Sequence, residues 1–146
     1  MIYQGKDREP VREVILHCAA IKGGQFNGYS PFKVFSTVNR WHKERGFACF
    51  GYHGLFMPDG AFWPGRPFTA QGAHTLGHNS GTVGFLLVES AEIKDLGRFE
   101  DYFTEAQRLA VRAKIAALGG IERVRGHNDY AAKLCPGFKV HSVDWL

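Results

Sequence analysis

The sequence predicts a single α/β domain, a central mixed β-sheet flanked by helices. Three observations carry that reading. Apolar, β-branched runs of strand length recur at residues 11–18 (VREVILHC), 47–57 (FACFGYHGLFM) and 83–89 (VGFLLVE). Two intervening segments open with helix-capping chemistry. Strands and helices do not alternate strictly, which argues against a purely parallel sheet. A chain of 146 residues is long enough to bury one core. The domain is expected to span residues 1–146, with 1–11 as a short N-terminal extension.

In order, residues 11–18 read as a buried strand that delivers His17 near its C-terminal edge. Gly23, Gly24, Asn27 and Gly28 then mark a loop. Ser30 followed by Pro31 is an N-cap with proline at the first helical position. The helix should run to about Arg45, with Phe32, Phe35, Val38 and Trp41/His42 on one face and Gly46 ending it.

Residues 47–57 read as a second strand carrying Tyr52, with glycines that let another segment approach the backbone. Pro58-Asp59-Gly60 is a turn, and residues 61–63 begin a hairpin return. Residues 64–82 read as a long surface loop, a kind of segment that often carries function. Residues 83–89 form a third core strand. Thr104 and Gln107 form a capping box, and Leu109, Ala110, Ala113 and Ala117 share a face of the helix they open. That helix stops at Gly119-Gly120, and residues 121–125 make a last strand leading into His127.

Composition excludes several classes. The chain is 45% apolar and 22% charged, with no disordered or linker-like stretch. Its N-terminus, MIYQGKDREP, is polar where a signal peptide has an apolar core, and no run is long enough for a membrane span. The expectation is a cytosolic protein with no membrane partner. Three cysteines do not suit a fully paired disulfide framework. The net charge of +4 permits an anionic partner. The basic residues are scattered, so nucleic acid is not expected.

The segment 126–138, GHNDYAAKLCPGF, holds His127 and Cys135 in a loop framed by Gly126 and Pro136-Gly137. Imidazole and thiolate suit a borderline-soft ion such as Zn²⁺. His17 is the candidate third ligand, leaving the open fourth position of a catalytic site. Cys18 should point to the opposite face of its strand. Each of these residues also has a plainer reading as packed core.

Read together, HCAA at 17–20, WHKERG at 41–46, GYH at 51–53, GRPFTAQGAHTLGHNSGTVG at 65–84 and GHNDYAAKLCPGF at 126–138 carry a resemblance. The chain resembles, over nearly its whole length, the zinc-dependent N-acetylmuramoyl-L-alanine amidases of the bacteriophage lysozyme type. These are relatives of the peptidoglycan recognition proteins. The resemblance implies Zn²⁺ on His17, His127 and Cys135, with Tyr52 and Lys133 as catalytic partners beside it. It implies cleavage of the amide between N-acetylmuramic acid and L-Ala of peptidoglycan. Arg66, His74 and Asn79 of the long loop are expected to touch glycan or stem peptide.

A related recycling branch has Asp in place of Cys135 and a catalytic Glu where this chain has Leu86. Glu89 should face the other way. Recognition proteins without activity typically lose the Cys ligand, which is present here. The expected function is that of a phage endolysin, a monomer held in the host cytoplasm until released onto the wall. A wall-recognition module with a structural zinc, or a bacterial amidase of prophage origin, stays open as an alternative.

Overall fold

The computed structural model describes all residues 1–146. A five-stranded sheet runs in the order β5-β4-β6-β3-β7. Its strands are β3 (Glu13–Cys18), β4 (Gly54–Phe56), β5 (Phe62–Pro64), β6 (Thr82–Leu87) and β7 (Arg123–Gly126). β3 pairs in parallel with both β6 and β7, β6 pairs in parallel with β4, and only edge strand β5 is antiparallel. The mixed sheet is the expected one.

β3 and β6 are buried at every position, which explains their continuous apolar sequences EVILHC and TVGFLL. Alternation then divides the core in two. Val14, Leu16 and Cys18 of β3 join Val83, Phe85 and Leu87 of β6 under α3 (Glu105–Leu118). Leu86 and Val88 join Val34 and Val38 of α1 (Pro31–Glu44) on the other face. His17, opposite Leu86 in register, belongs to this second face.

The helix caps form as expected. Ser30 accepts from Lys33 N at 3.1 Å, and Thr104 and Gln107 close a reciprocal box. Gly119 ends α3 with φ 71°, a conformation that favours glycine. The buried faces differ from the expected ones. In α1 the inward row is Val34, Val38 and His42, while Phe32 is 57% exposed. In α3 it is Gln107, Val111, Ile115 and Leu118, while Leu109 is 59% exposed. Both helices put a polar residue in the inward row, which shifts the phase an apolar count would choose. A short α2 (Phe99–Tyr102) precedes α3.

Two loop expectations are corrected. Only Gly54–Phe56 of residues 47–57 is strand, so Tyr52 lies in irregular chain. There, Gly51 N donates to His42 Nδ1 at 2.9 Å and Gly51 O accepts from Ala73 N at 2.9 Å. Those partners replace a strand ladder. A side chain at Gly51 would collide with the Ala73 carbonyl, so this glycine permits the close approach read from the sequence. Residues 64–82 do not form a plain surface loop either, because His74 and Thr75 are buried in the site.

The first residues fold as a hairpin, β1 (Tyr3–Gln4) with β2 (Glu9–Pro10). Gln4 is buried, donating to Thr82 O at 2.7 Å and accepting from Gly81 N at 3.1 Å. Gln107 plays a similar part in α3, donating to Phe56 O at 3.2 Å and Val88 O at 2.8 Å. Gln107→Leu would strand the Val88 carbonyl, take one of two donors from Phe56 O and remove the cap on Thr104 N. We expect it to lower unfolding free energy by about 2–4 kcal/mol, seen as a lower urea midpoint with unchanged m-value.

Candidate metal centre and active-site groove

β3 and β7 run side by side, so the end of β3 and the chain leaving β7 meet at one edge of the sheet. His17 is the fifth residue of β3, and His127 opens a 3₁₀ turn directly after β7. Asp129 holds that turn by accepting from Gly126 N at 2.9 Å, and Lys139 pairs with the same carboxylate. Asn128 donates to Phe138 O at 3.2 Å and Leu134 O at 3.5 Å. These two bonds bracket Cys135 and bring it back toward His127.

His17, His127 and Cys135 place one ligand atom each within 4.8 Å of one another. Cys135 Sγ lies 3.9 Å from His17 Nδ1. A tetrahedral zinc with these bond lengths needs ligand atoms about 3.3–3.7 Å apart. The trio fits such an ion after a small inward closure. Cys18 is not part of the trio, as the strand alternation required, and its side chain packs in the α3-side core. It still shapes the site: its backbone N donates to Cys135 Sγ at 3.2 Å. The Cys18 thiol, with His127 and His17, holds the Cys135 thiol well below its ordinary range, while Cys135 and burial push Cys18 up. Of the two thiols, Cys135 is the one whose surroundings favour the thiolate, the form a metal takes. Burial lowers the pKa of His17, which keeps its imidazole neutral and able to act as a ligand.

His127 and Cys135 line a groove of about 550 Å³, with His17 buried beside them. Tyr52 and Lys133 line it, with the Tyr52 ring 5.0 Å from that of His17. Burial, then the charges of Cys135 and Cys18, push the Tyr52 phenol well up, so it remains a hydroxyl donor. Lys133 is exposed on the facing loop. Leu86 also lines the groove, where the related branch has its catalytic Glu. Glu89 is turned elsewhere and accepts from Ala19, Ala20 and Ile21 N at 2.9, 2.9 and 3.4 Å. It shapes the turn after β3, a bend in which Ala20 has φ 57°.

The three residues expected at the substrate behave differently. Arg66 does not line the groove. Its guanidinium donates to Phe50 O, Gln71 O and Cys49 O at 2.9, 3.1 and 3.4 Å, a clamp on neighbouring loops. Asn79 lines the groove, but its Oδ1 accepts from both His74 N and Thr75 N at 2.9 Å. His74 lines the groove, with its Nδ1 3.0 Å from His17 Nε2. Trp41, His42, Arg45, Thr75 and Tyr130 line the groove without having been singled out as its contacts. Tyr130 was legible as part of the GHNDY stretch. Thr75 offered no signal beyond standing next to His74.

No family model matches the chain. Its α/β fold with a groove at the end of the central strands is that of the amidases and peptidoglycan recognition proteins. The N-acetylmuramoyl-L-alanine amidase LysC from Clostridium intestinale URNW superposes with a TM-score of 0.68 at 25% identity, covering 88% of this chain and 77% of that one. The Drosophila recognition protein PGRP-LB superposes with a TM-score of 0.73 at 24% identity, covering 92% and 78%, a likeness of fold. By sequence, the endolysin of Escherichia phage T7 is 34% identical over 142 residues, 94% of this chain and 87% of that protein. The endolysin of Klebsiella phage KP32 is 34% identical over 138 residues, 91% and 85%. The chain belongs to this family of phage endolysins.

One groove residue gives a pH prediction. Burial, then Arg45 and Arg66, lower the His42 imidazole to about 4 from 6.5. The unfolded chain therefore takes up this proton first as pH falls. The contribution of neutral His42 is full above about pH 6.5 and is lost as pH falls through 4. Urea midpoints measured from pH 7.5 to 4 should fall more steeply for the wild type than for His42→Asn, which keeps an acceptor for Gly51 N. Parallel curves would refute this.

Proposed function

We propose that the protein is a peptidoglycan amidase of the endolysin kind. It would hydrolyse the amide between N-acetylmuramic acid and the L-Ala that begins the stem peptide. The observation that carries the reading is the His17, His127 and Cys135 trio beside an open groove, in a chain of the endolysin family. Three ligands leave a coordination place for reacting groups, whereas a closed structural site needs four. Zinc is the ion this donor set suits, two imidazoles and one thiolate. When bound there, it polarises an amide carbonyl and makes a water acidic enough to react near neutral pH.

The chain's own residues supply the rest. The Tyr52 hydroxyl, kept protonated, donates a hydrogen bond toward the charge that develops on the carbonyl oxygen. The Lys133 ammonium brings positive charge to the same region from the opposite loop. Leu86 leaves no carboxylate at the position of the related branch's general base. A net charge of +4 favours approach to an anionic wall. No helix is long and apolar enough to cross a membrane. We place the action at the wall after release from the host cytoplasm, the protein working as a monomer with no nucleic-acid partner.

The decisive experiment pairs metal analysis with cleavage of purified peptidoglycan. Wild type should carry about one zinc and release L-Ala amino groups without new sugar reducing ends, and Cys135→Ala should lose both. Zinc with wall binding but no amide cleavage would instead indicate a recognition module. Lys133→Met and Tyr52→Phe should each keep zinc and lose about 10²–10³ in rate. Full activity in a zinc-loaded Lys133→Met would remove that residue from the mechanism.

A further inference from the structure

The imidazole of His17 can meet a metal through only one nitrogen, and its surroundings decide which. Nδ1 faces Cys135 Sγ at 3.9 Å. Nε2 points away, to His74 Nδ1 at 3.0 Å and Thr75 Oγ1 at 3.3 Å. A ligating Nδ1 carries no proton, so Nε2 must carry it and needs an acceptor. His74 can accept only if its own proton is on Nε2.

That second proton position is also fixed. His74 Nε2 lies 3.3 Å from Thr82 Oγ1, and the Thr82 hydroxyl is itself committed as donor to His78 O at 2.8 Å. Thr82 therefore accepts from His74. Proton direction along the chain is set by its last member: Thr82 to a backbone carbonyl, His74 to Thr82, His17 to His74. Thr75 Oγ1, 2.9 Å from His74 Nδ1, braces the same junction.

The fold makes room for this arrangement. The His74 ring lies over Gly84 of β6, where an added Cβ would come within 2.5 Å of it. Asn79 Oδ1 holds the backbone at His74 and Thr75. His74 is only 9% exposed, and both of its ring nitrogens are engaged by protein partners.

We propose that His74, braced by Thr75 and oriented by Thr82, is a positioning residue that locks His17 in its Nε2–H tautomer and so presents Nδ1 to the metal. The proposal rests on the metal-centre reading above, but its first readout needs no metal. Nitrogen NMR of metal-free wild type should report His17 protonated on Nε2, with that proton slow to exchange. His74→Leu removes the acceptor, and should give mixed His17 tautomers and a zinc dissociation constant raised about 10–100-fold. His74→Asn offers an amide oxygen near the place of Nδ1, and should restore most of both properties.

Thr82→Val leaves both rings in place but removes the outer acceptor, so it tests the lock if His74→Leu does not fold. It should mix the tautomers and weaken zinc severalfold. An unchanged His17 tautomer and unchanged zinc affinity in a folded His74→Leu, or in Thr82→Val should the former not fold, would overturn the proposal. A wild type that shows the Nε2–H tautomer yet binds no zinc would sink the metal reading and leave the lock standing.

Discussion

Everything in this molecule is arranged around the alternation of a single strand. β3 is buried on both sides and paired on both edges, so it can neither slip nor rotate without overturning two cores. Sending Leu16 and Cys18 into the α3-side core commits His17 to the opposite face. The same register sets Leu86 beside it and brings the exit of β7 alongside. The position of the metal trio is thus a consequence of apolar packing, set by residues that have no chemistry of their own.

Around that point, the groove assigns different tasks to similar residues. Four histidines, His17, His42, His53 and His74, are buried, and burial lowers the pKa of each. Only His17 faces the ligand trio. His42 and His53 use ring nitrogens as acceptors for the backbone of Gly51 and Gly84, tying loops to the sheet. The neutral form matters in every case, because an imidazolium has no acceptor to offer. Tyr52 completes the pattern from the other side, a phenol kept as a donor by the same burial.

Much of this was legible in the sequence, for reasons that separate the successes from the misses. Ser30-Pro31 and Thr104/Gln107 announce their helices because capping is chemistry between residues three apart. His127 and Cys135 could be paired because one short loop carries both. The inward face of α3 was misread because Gln107 is a polar residue satisfied by distant backbone groups, which no local pattern contains. In α1, by contrast, Val38 and His42 were placed inward and Phe32 was not the third member. Residues 47–53 look like strand by composition, yet at Gly51 the backbone partners are a histidine ring and a folded-in loop. Arg66 stands beside the groove residues in sequence but turns toward three carbonyls. His74 was noticed for its residue type, and only the fold could show that its ring meets that of His17.

The order of the ligands along the chain also governs when the site can exist. Position 17 is made early, and positions 127 and 135 come within the final twenty residues of the sequence. β7, the strand that carries the later ligands to the sheet, is likewise the last to be made. During synthesis the growing polypeptide holds one member of the trio until residues 127–135 have left the ribosome. No nascent fragment ending before Cys135 can assemble the trio, however well its earlier strands have folded. Emergence of Cys135 is thereby the event that first allows the trio to form.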